Sequence, residues 1–290
     1  MHITKHFLLC LLIFLLCSFS DDRPAYRIFQ SGRSNTGWKD LVSEAAKADV
    51  VLFGEMHNVS VVHWLELQLA KDLFAKRGNS LVLGAEMLET DNQLPLTEYL
   101  GGKMSAKQFE SEVKLWNNYK TDYKPLVDFA KDNALPFVAT NIPRRYASLV
   151  SREDVASLEK LDQSARALMM PLPFQPDLSL PGYKKMTDEM SAHAGGDASL
   201  IAKAQAVKDA TMATFILNNL KPGQIFLHYN GSYHSDNFEG IAYYLKKQKP
   251  GIKILTISSV EQADINKEIK ENTKLADFVL AIPEDMAKSY

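Results

Sequence analysis

Short runs of apolar residues alternate along this chain with longer stretches in which apolar positions recur every three to four residues. The runs at 50–54, 81–88, 136–141, 224–230, 252–258 and 278–282 read as strands. Their near-continuous Val, Ile, Leu and Phe content is that of strands covered on both faces. After the first run, Val61, Leu65, Leu69 and Leu73 share one side of a helix that Ser60 can cap and that ends near Gly78. A second helix is expected from Asp122 to Asn133, and Pro143 suits the first turn of the helix that carries Arg144, Arg145 and Tyr146. Strands alternating with amphipathic helices predict an α/β fold, a mostly parallel or mixed central sheet flanked by helices. The stretch 147–219 departs from the alternation, with helical segments joined by the proline-rich MMPLPFQPDLSLPGY and by Gly195-Gly196. It predicts an inserted helical lid over one end of the sheet.

The start of the chain changes the picture from a cytoplasmic to an exported protein. Lys5 precedes an apolar stretch from Phe7 to Leu16, and Ser18-Phe19-Ser20 offers small residues where a signal peptidase reads, so residues 1–20 are expected to be a signal peptide. The apolar stretch is about ten residues, half of what spans a bilayer, and no transmembrane segment is expected. Cys17 ends the stretch as an acylated cysteine would, but Leu16 stands where a lipobox carries a small residue. Cys10 and Cys17 are both in the leader, so the remaining single domain, 21–290, has neither disulfides nor thiolate metal sites. With 46% hydrophobic residues, that domain can bury a sizeable core without staples. A net charge of −2 excludes the basic footprint of a nucleic-acid binder.

Candidate chemistry gathers where the strand runs end. Glu55 and His57, two apart in an extended exit, point the same way, and a carboxylate beside an imidazole either binds a metal or works as an acid/base pair. The plainer reading is a helix cap and a satisfied buried histidine. Glu86 interrupts an apolar strand, where a carboxylate requires a partner, and His57 and His234 are the candidates. His234 follows its strand in Gly-Ser-Tyr-His, with Gly231 allowing a tight turn. All four belong to the crevice outside the carboxyl ends of the strands, with Glu55, His57 and His234 the expected ligands of any divalent metal. His63 reads as structural or supporting, and His228 as a core histidine. Arg144 and Arg145 either clamp carboxylates or are solvated, and Trp116, Tyr119 and Tyr123 read as core.

Taken in order, Glu55-Met56-His57, Glu86, TNIPRRY at 140–146, AQAVKDATMA at 204–213 and GSYH at 231–234 resemble the ChaN-like cofacial haem-binding family of the Tiki superfamily. The likeness runs from Asp49 to Leu245. It implies an exported haem-binding protein for uptake or trafficking, periplasmic or outer-membrane associated. Its two haems would be stacked within a homodimer and held through tyrosine. Tyr183, facing outward from the lid across the crevice mouth, and Tyr146 are the candidate ligands, with Arg144 and Arg145 placed to receive propionates. Paired Glu and His also fit the hydrolytic relatives of that superfamily, of the erythromycin-esterase type. In that reading Glu86 is the base, and His57 or His234 binds metal or protonates the leaving group. Both function classes stay open on the sequence alone.

Overall fold

In a computed structural model, which describes residues 23–30, 36–193 and 197–290, the long apolar runs become the middle of one sheet. Residues 1–20, expected to be a signal peptide and containing Cys17, lie outside the described residues. Seven strands are present among them: β1 (Arg27–Gln30), β2 (Val50–Glu55), β3 (Leu81–Glu89), β4 (Phe137–Asn141), β5 (Ile225–Gly231), β6 (Ile254–Gln262) and β7 (Phe278–Pro283). Their spatial order is β1-β7-β6-β2-β5-β3-β4, and only β1 runs antiparallel to its neighbour. The fold is the mixed α/β sheet that the alternation of runs and helices predicts.

Every residue of β2, β3 and β5 is buried, because helices cover both faces. Side chains therefore alternate between two cores. Val51 and Phe53 of β2 enter one, with α1 (Trp38–Ala45), α2 (Ser60–Arg77), α3 (Gln93–Leu100), α4 (Ala106–Glu112) and α5 (Lys124–Asp132). Val50 and Leu52 enter the other, with α6 (Arg144–Glu153), α8 (Pro181–His193), α9 (Ala198–Asn219) and α10 (Gly240–Gln248). A short α7 (Gln163–Arg166) lies between α6 and α8 along the chain.

Three differences from the sequence reading have physical causes. β1, four residues long with Arg27 exposed, has too little apolar pattern to register, and it forms because β7 offers a free edge. The segment expected to turn helical at Asp122 passes first through a π turn, Tyr119–Tyr123, which aims Asp122 and Tyr123 inward before α5 begins. The stretch 147–219 holds no strand among its described residues, but α9, its longest helix, is a layer helix packed on β4 and α10 rather than a cover.

Candidate functional site

From β2 the chain crosses through α2 on one face of the sheet, and from its neighbour β5 it crosses through α10 on the other. Crossovers that leave in opposite directions open a crevice between the two strand ends. A cavity of about 600 Å³ lies there, within the range of small-molecule sites. His57, Glu86 and His234 line it, with Trp116, Lys208 and Tyr233 among the other walls.

On the α9 side, Glu86 sits where β3 loses its regular pairing with β5 after Ala85. Its Oε2 accepts the Gly231 N–H at 2.8 Å and its Oε1 lies 3.1 Å from His234 Nε2. The opposite ring nitrogen, Nδ1, bonds Asp209 Oδ1, and the Tyr183 hydroxyl donates to Asp209 Oδ2. Burial alone would push the Glu86 carboxyl up, but the His234 charge, its hydrogen bond, His57 and the Gly231 N–H together hold it well below the usual range. Burial opposes charge on His234, yet Glu86 and Asp209 raise it to about 10. This half of the site is a buried ion pair, with Asp209 fixing the imidazole from behind.

On the α2 side, His57 Nδ1 lies 2.6 Å from Glu55 Oε1, which also accepts the Tyr123 hydroxyl at 2.7 Å. His57 is the partly open member, with 35% of its side chain exposed, and its ring meets Trp116 edge to face at 4.8 Å. Desolvation works against a charge on His57, but the Glu55 hydrogen bond and charge raise its pKa. Burial pushes Glu55 up as well, and its bond to His57 and the nearby His63 more than offset that. Behind Glu55 lie His63 and Glu66, whose Nδ1 and Oε2 are 3.0 Å apart. Burial, and then the Glu55 charge, raises Glu66 well above the carboxylate range. Burial opposes the charge on His63 too, but Glu66, Glu55 and Asp122 lift it to about 9.

Gly231 is where the halves meet. A Cβ there would fall 2.7 Å from His57 Nε2 and 3.6 Å from Glu86 Oε2, so only glycine lets the imidazole lie over the strand end. Gly54 does the same beneath, since its Cβ would come within 2.8 Å of the Ile257 carbonyl oxygen and 2.9 Å of Ser232 Cα. A site with two imidazoles, each backed by its own carboxylate, can transfer protons on either side of a bound molecule.

A family model described as "Haem-binding uptake, Tiki superfamily, ChaN" matches residues 41–245. The chain belongs to this family. ChaN of Campylobacter jejuni, whose structure is described by its cofacial haem binding, is similar with a TM-score of 0.65 at 18% identity, over 88% of this chain and 96% of that one. A Bacillus cereus protein is similar with a TM-score of 0.52 at 12% identity, over 89% of this chain and 95% of that one. The chloroplastic RETICULATA-RELATED 5 protein of Arabidopsis thaliana is 24% identical over 201 residues, 64% of this chain but 26% of that protein, so the chain spans about a quarter of its length. At these identities the structural likeness is one of fold.

For this ChaN-family chain, Glu55, His57, Glu86 and His234 come together as the strand ends suggest. Tyr183, Tyr146 and Arg145 do not. Tyr183, expected to face outward at the mouth, is 3% exposed in the second core, because Asp209 offers its hydroxyl a buried acceptor. Burial and the Asp209 charge push that phenol far above its ordinary range. Tyr146 lies under Arg145, whose guanidinium carbon is 4.5 Å from the ring centroid, and neither lines the crevice. Arg145 pairs with Asp91. Arg144 does line the crevice but is committed to Glu89 through Nε and to the Lys114 carbonyl through Nη2. The expected metal set of Glu55, His57 and His234 is divided between the two halves; among the described residues the grouping close enough to share an ion is Glu55, His63 and Glu66.

Several participants escaped the sequence reading. Trp116 and Tyr123 belong to the first core as read, but Trp116 also walls the crevice and the Tyr123 hydroxyl also donates to Glu55. Asp209 and Lys208 sat in a helix with no strand-end signal, although the motif AQAVKDATMA contained both. Tyr233 lines the crevice 39% exposed, its hydroxyl donating to the Gly182 carbonyl at 2.7 Å.

Proposed function

We propose that this protein binds haem outside the cytoplasm, in uptake or trafficking, with two copies bringing their haems face to face. Membership in the haem-binding ChaN family over residues 41–245 carries the reading. The crevice suits the group chemically: Met56, Trp116 and Ile142 offer an apolar wall, and the Lys208 ammonium, which has no ion-pair partner among the described residues, suits a propionate. Tyr233 is the phenol that reaches the crevice, and tyrosine is a known axial donor to haem iron. Burial and then the charges of Asp209 and Glu239 raise its pKa to about 12, so ligation through it must release a proton. Hemin added to the purified protein is expected to give a saturable Soret shift, tighter at pH 9 than at pH 7 and weakened at least about tenfold in Tyr233→Phe, while Tyr183→Phe keeps it. An unchanged shift in Tyr233→Phe removes that ligand, and no shift in wild type removes the function.

A covered haem face predicts an isologous dimer. Light scattering should report hemin-driven dimerisation, and a monomer that binds hemin tightly would defeat the cofacial arrangement alone.

One observation favours a second reading. His57, partly open and backed by Glu55, faces the fixed Glu86–His234 ion pair. Glu86 is held ionised rather than raised as the expected base would be, so His57 is the proton carrier for hydrolysis of an ester or similar bond in the same crevice. If that reading is right, Glu86→Gln and His57→Ala abolish turnover of a model ester. Hemin affinity that survives both substitutions would separate the two functions.

A further inference from the structure

We propose that Glu55, His63 and Glu66 hold a divalent transition-metal ion beneath the crevice, apart from Glu86 and His234 and from any haem iron. Glu55 comes from the end of β2, while His63 and Glu66 share one side of α2 at a spacing of one helical turn. Their donor atoms all lie within 4.8 Å of one another. His63 Nδ1 is 3.0 Å from Glu66 Oε2 and 3.5 Å from Glu55 Oε2. Donors placed at about 2.1 Å around one tetrahedral ion stand roughly 3.4 Å apart, and the two sides that meet at His63 already have that length.

Two further observations point to an occupant. His63 Nε2 lies 3.2 Å from the His57 carbonyl oxygen, with Asp122 Oδ2 at 3.6 Å. A carbonyl only accepts, so Nε2 carries a hydrogen, and an ion that displaces the Nδ1 proton would find that nitrogen's lone pair aimed at the two carboxylates. Metal-binding histidines are oriented in this way, by an N–H given to a carbonyl or carboxylate behind them. Moreover Glu55 Oε2, Glu66 Oε1 and the Tyr229 hydroxyl are buried without a hydrogen-bond partner. β2 pairs with β5 at Phe53 and Tyr229, which sets Tyr229 one diagonal step from Glu55 on the same face. Buried polar atoms left unmet around one locus are the mark of an ion or water that belongs there. Two carboxylates and an imidazole, without sulfur, suit Zn²⁺ or Mn²⁺, and a divalent charge balances the pair.

The ion would keep Glu55 a carboxylate, so that its Oε1 goes on accepting from His57 Nδ1 and His57 turns Nε2 toward the crevice. The purified full chain, dialysed against Zn²⁺ without hemin and desalted, should retain about one zinc per chain by elemental analysis. Its melting temperature should rise with zinc. Glu66→Gln, which preserves shape, should retain less than a tenth of that zinc and show no thermal shift, while Glu86→Gln should retain it all. Should Glu66→Gln fail to fold, Asp122→Asn decides the matter, because removing the carboxylate charge 3.6 Å behind His63 Nε2 should weaken zinc affinity about tenfold without removing a donor. Wild type that takes up no zinc and does not shift would mean that the network holds only protons and water. Zinc that survives Glu66→Gln, or that is lost in Glu86→Gln, would place the ion elsewhere and overturn the proposal.

Discussion

At the residue scale the Glu86–His234 pair makes stability depend on pH with a definite sign. His234 is raised from 6.5 to about 10, so its contribution is complete below 6.5 and disappears as pH climbs through 10. Glu86 is depressed, so its contribution is complete above its ordinary 4.5 and disappears only as pH falls through its lower folded value. The pair is therefore worth most between these limits and weakens on the alkaline side. Urea unfolding should show wild type losing more stability from pH 6 to pH 10 than Glu86→Gln does. At pH 6 that variant should be roughly 3 kcal/mol less stable, since it leaves a buried imidazolium short of a partner. Gly231→Ala tests the close approach instead. Its φ of −54° suits any residue, so the cost is steric alone, about 1–3 kcal/mol, and His57 must swing away. The imidazole resonance of His57 should shift while that of His234 stays in place.

At the scale of elements, α9 supplies Gln205 and Lys208 to the crevice wall and Asp209 behind His234, from positions three and four apart that share one helix side. Lys208→Ala should cut hemin affinity about tenfold, the order of one charge-assisted contact, without moving the Soret maximum, because in the proposed complex it would meet a propionate and not the iron. A moved maximum would make Lys208 part of the iron's environment. The same helix shows why the sequence was only partly readable. The strands were legible because burial on both faces writes an unbroken apolar run, as in VVLF before Gly54, and a carboxylate at the end of such a run, Glu55, or inside it, Glu86, stands out. α9 is buried nearly all round, with Ala202, Ala206, Ala210 and Ala213 against its neighbours, so it carries no stripe, and an Asp in it looks like any solvated helix acid. Tyr183 misled for the opposite reason. A tyrosine beside Pro-Gly looks exposed until the buried acceptor, 26 residues away, is known.

At the scale of the molecule, the crevice divides its residues between the two cores. Glu55, His57, His63 and Tyr123 are anchored through β2, α2 and the π turn on one side of the sheet, and Asp209 and Tyr183 through α9 and α8 on the other. Whatever lies across the crevice is therefore a clasp between two layers that the sheet otherwise keeps apart. Its grip should be felt far from its contacts, because binding to the folded state alone stabilises whatever must stay assembled for the site to exist. Amide exchange should slow in both α2 and α9 when hemin binds. In Gly231→Ala, where His57 has lost its seat, the protection should persist in α9 and fade in α2. A pocket set within one core would quiet one layer only; this one makes its occupant a structural member of both.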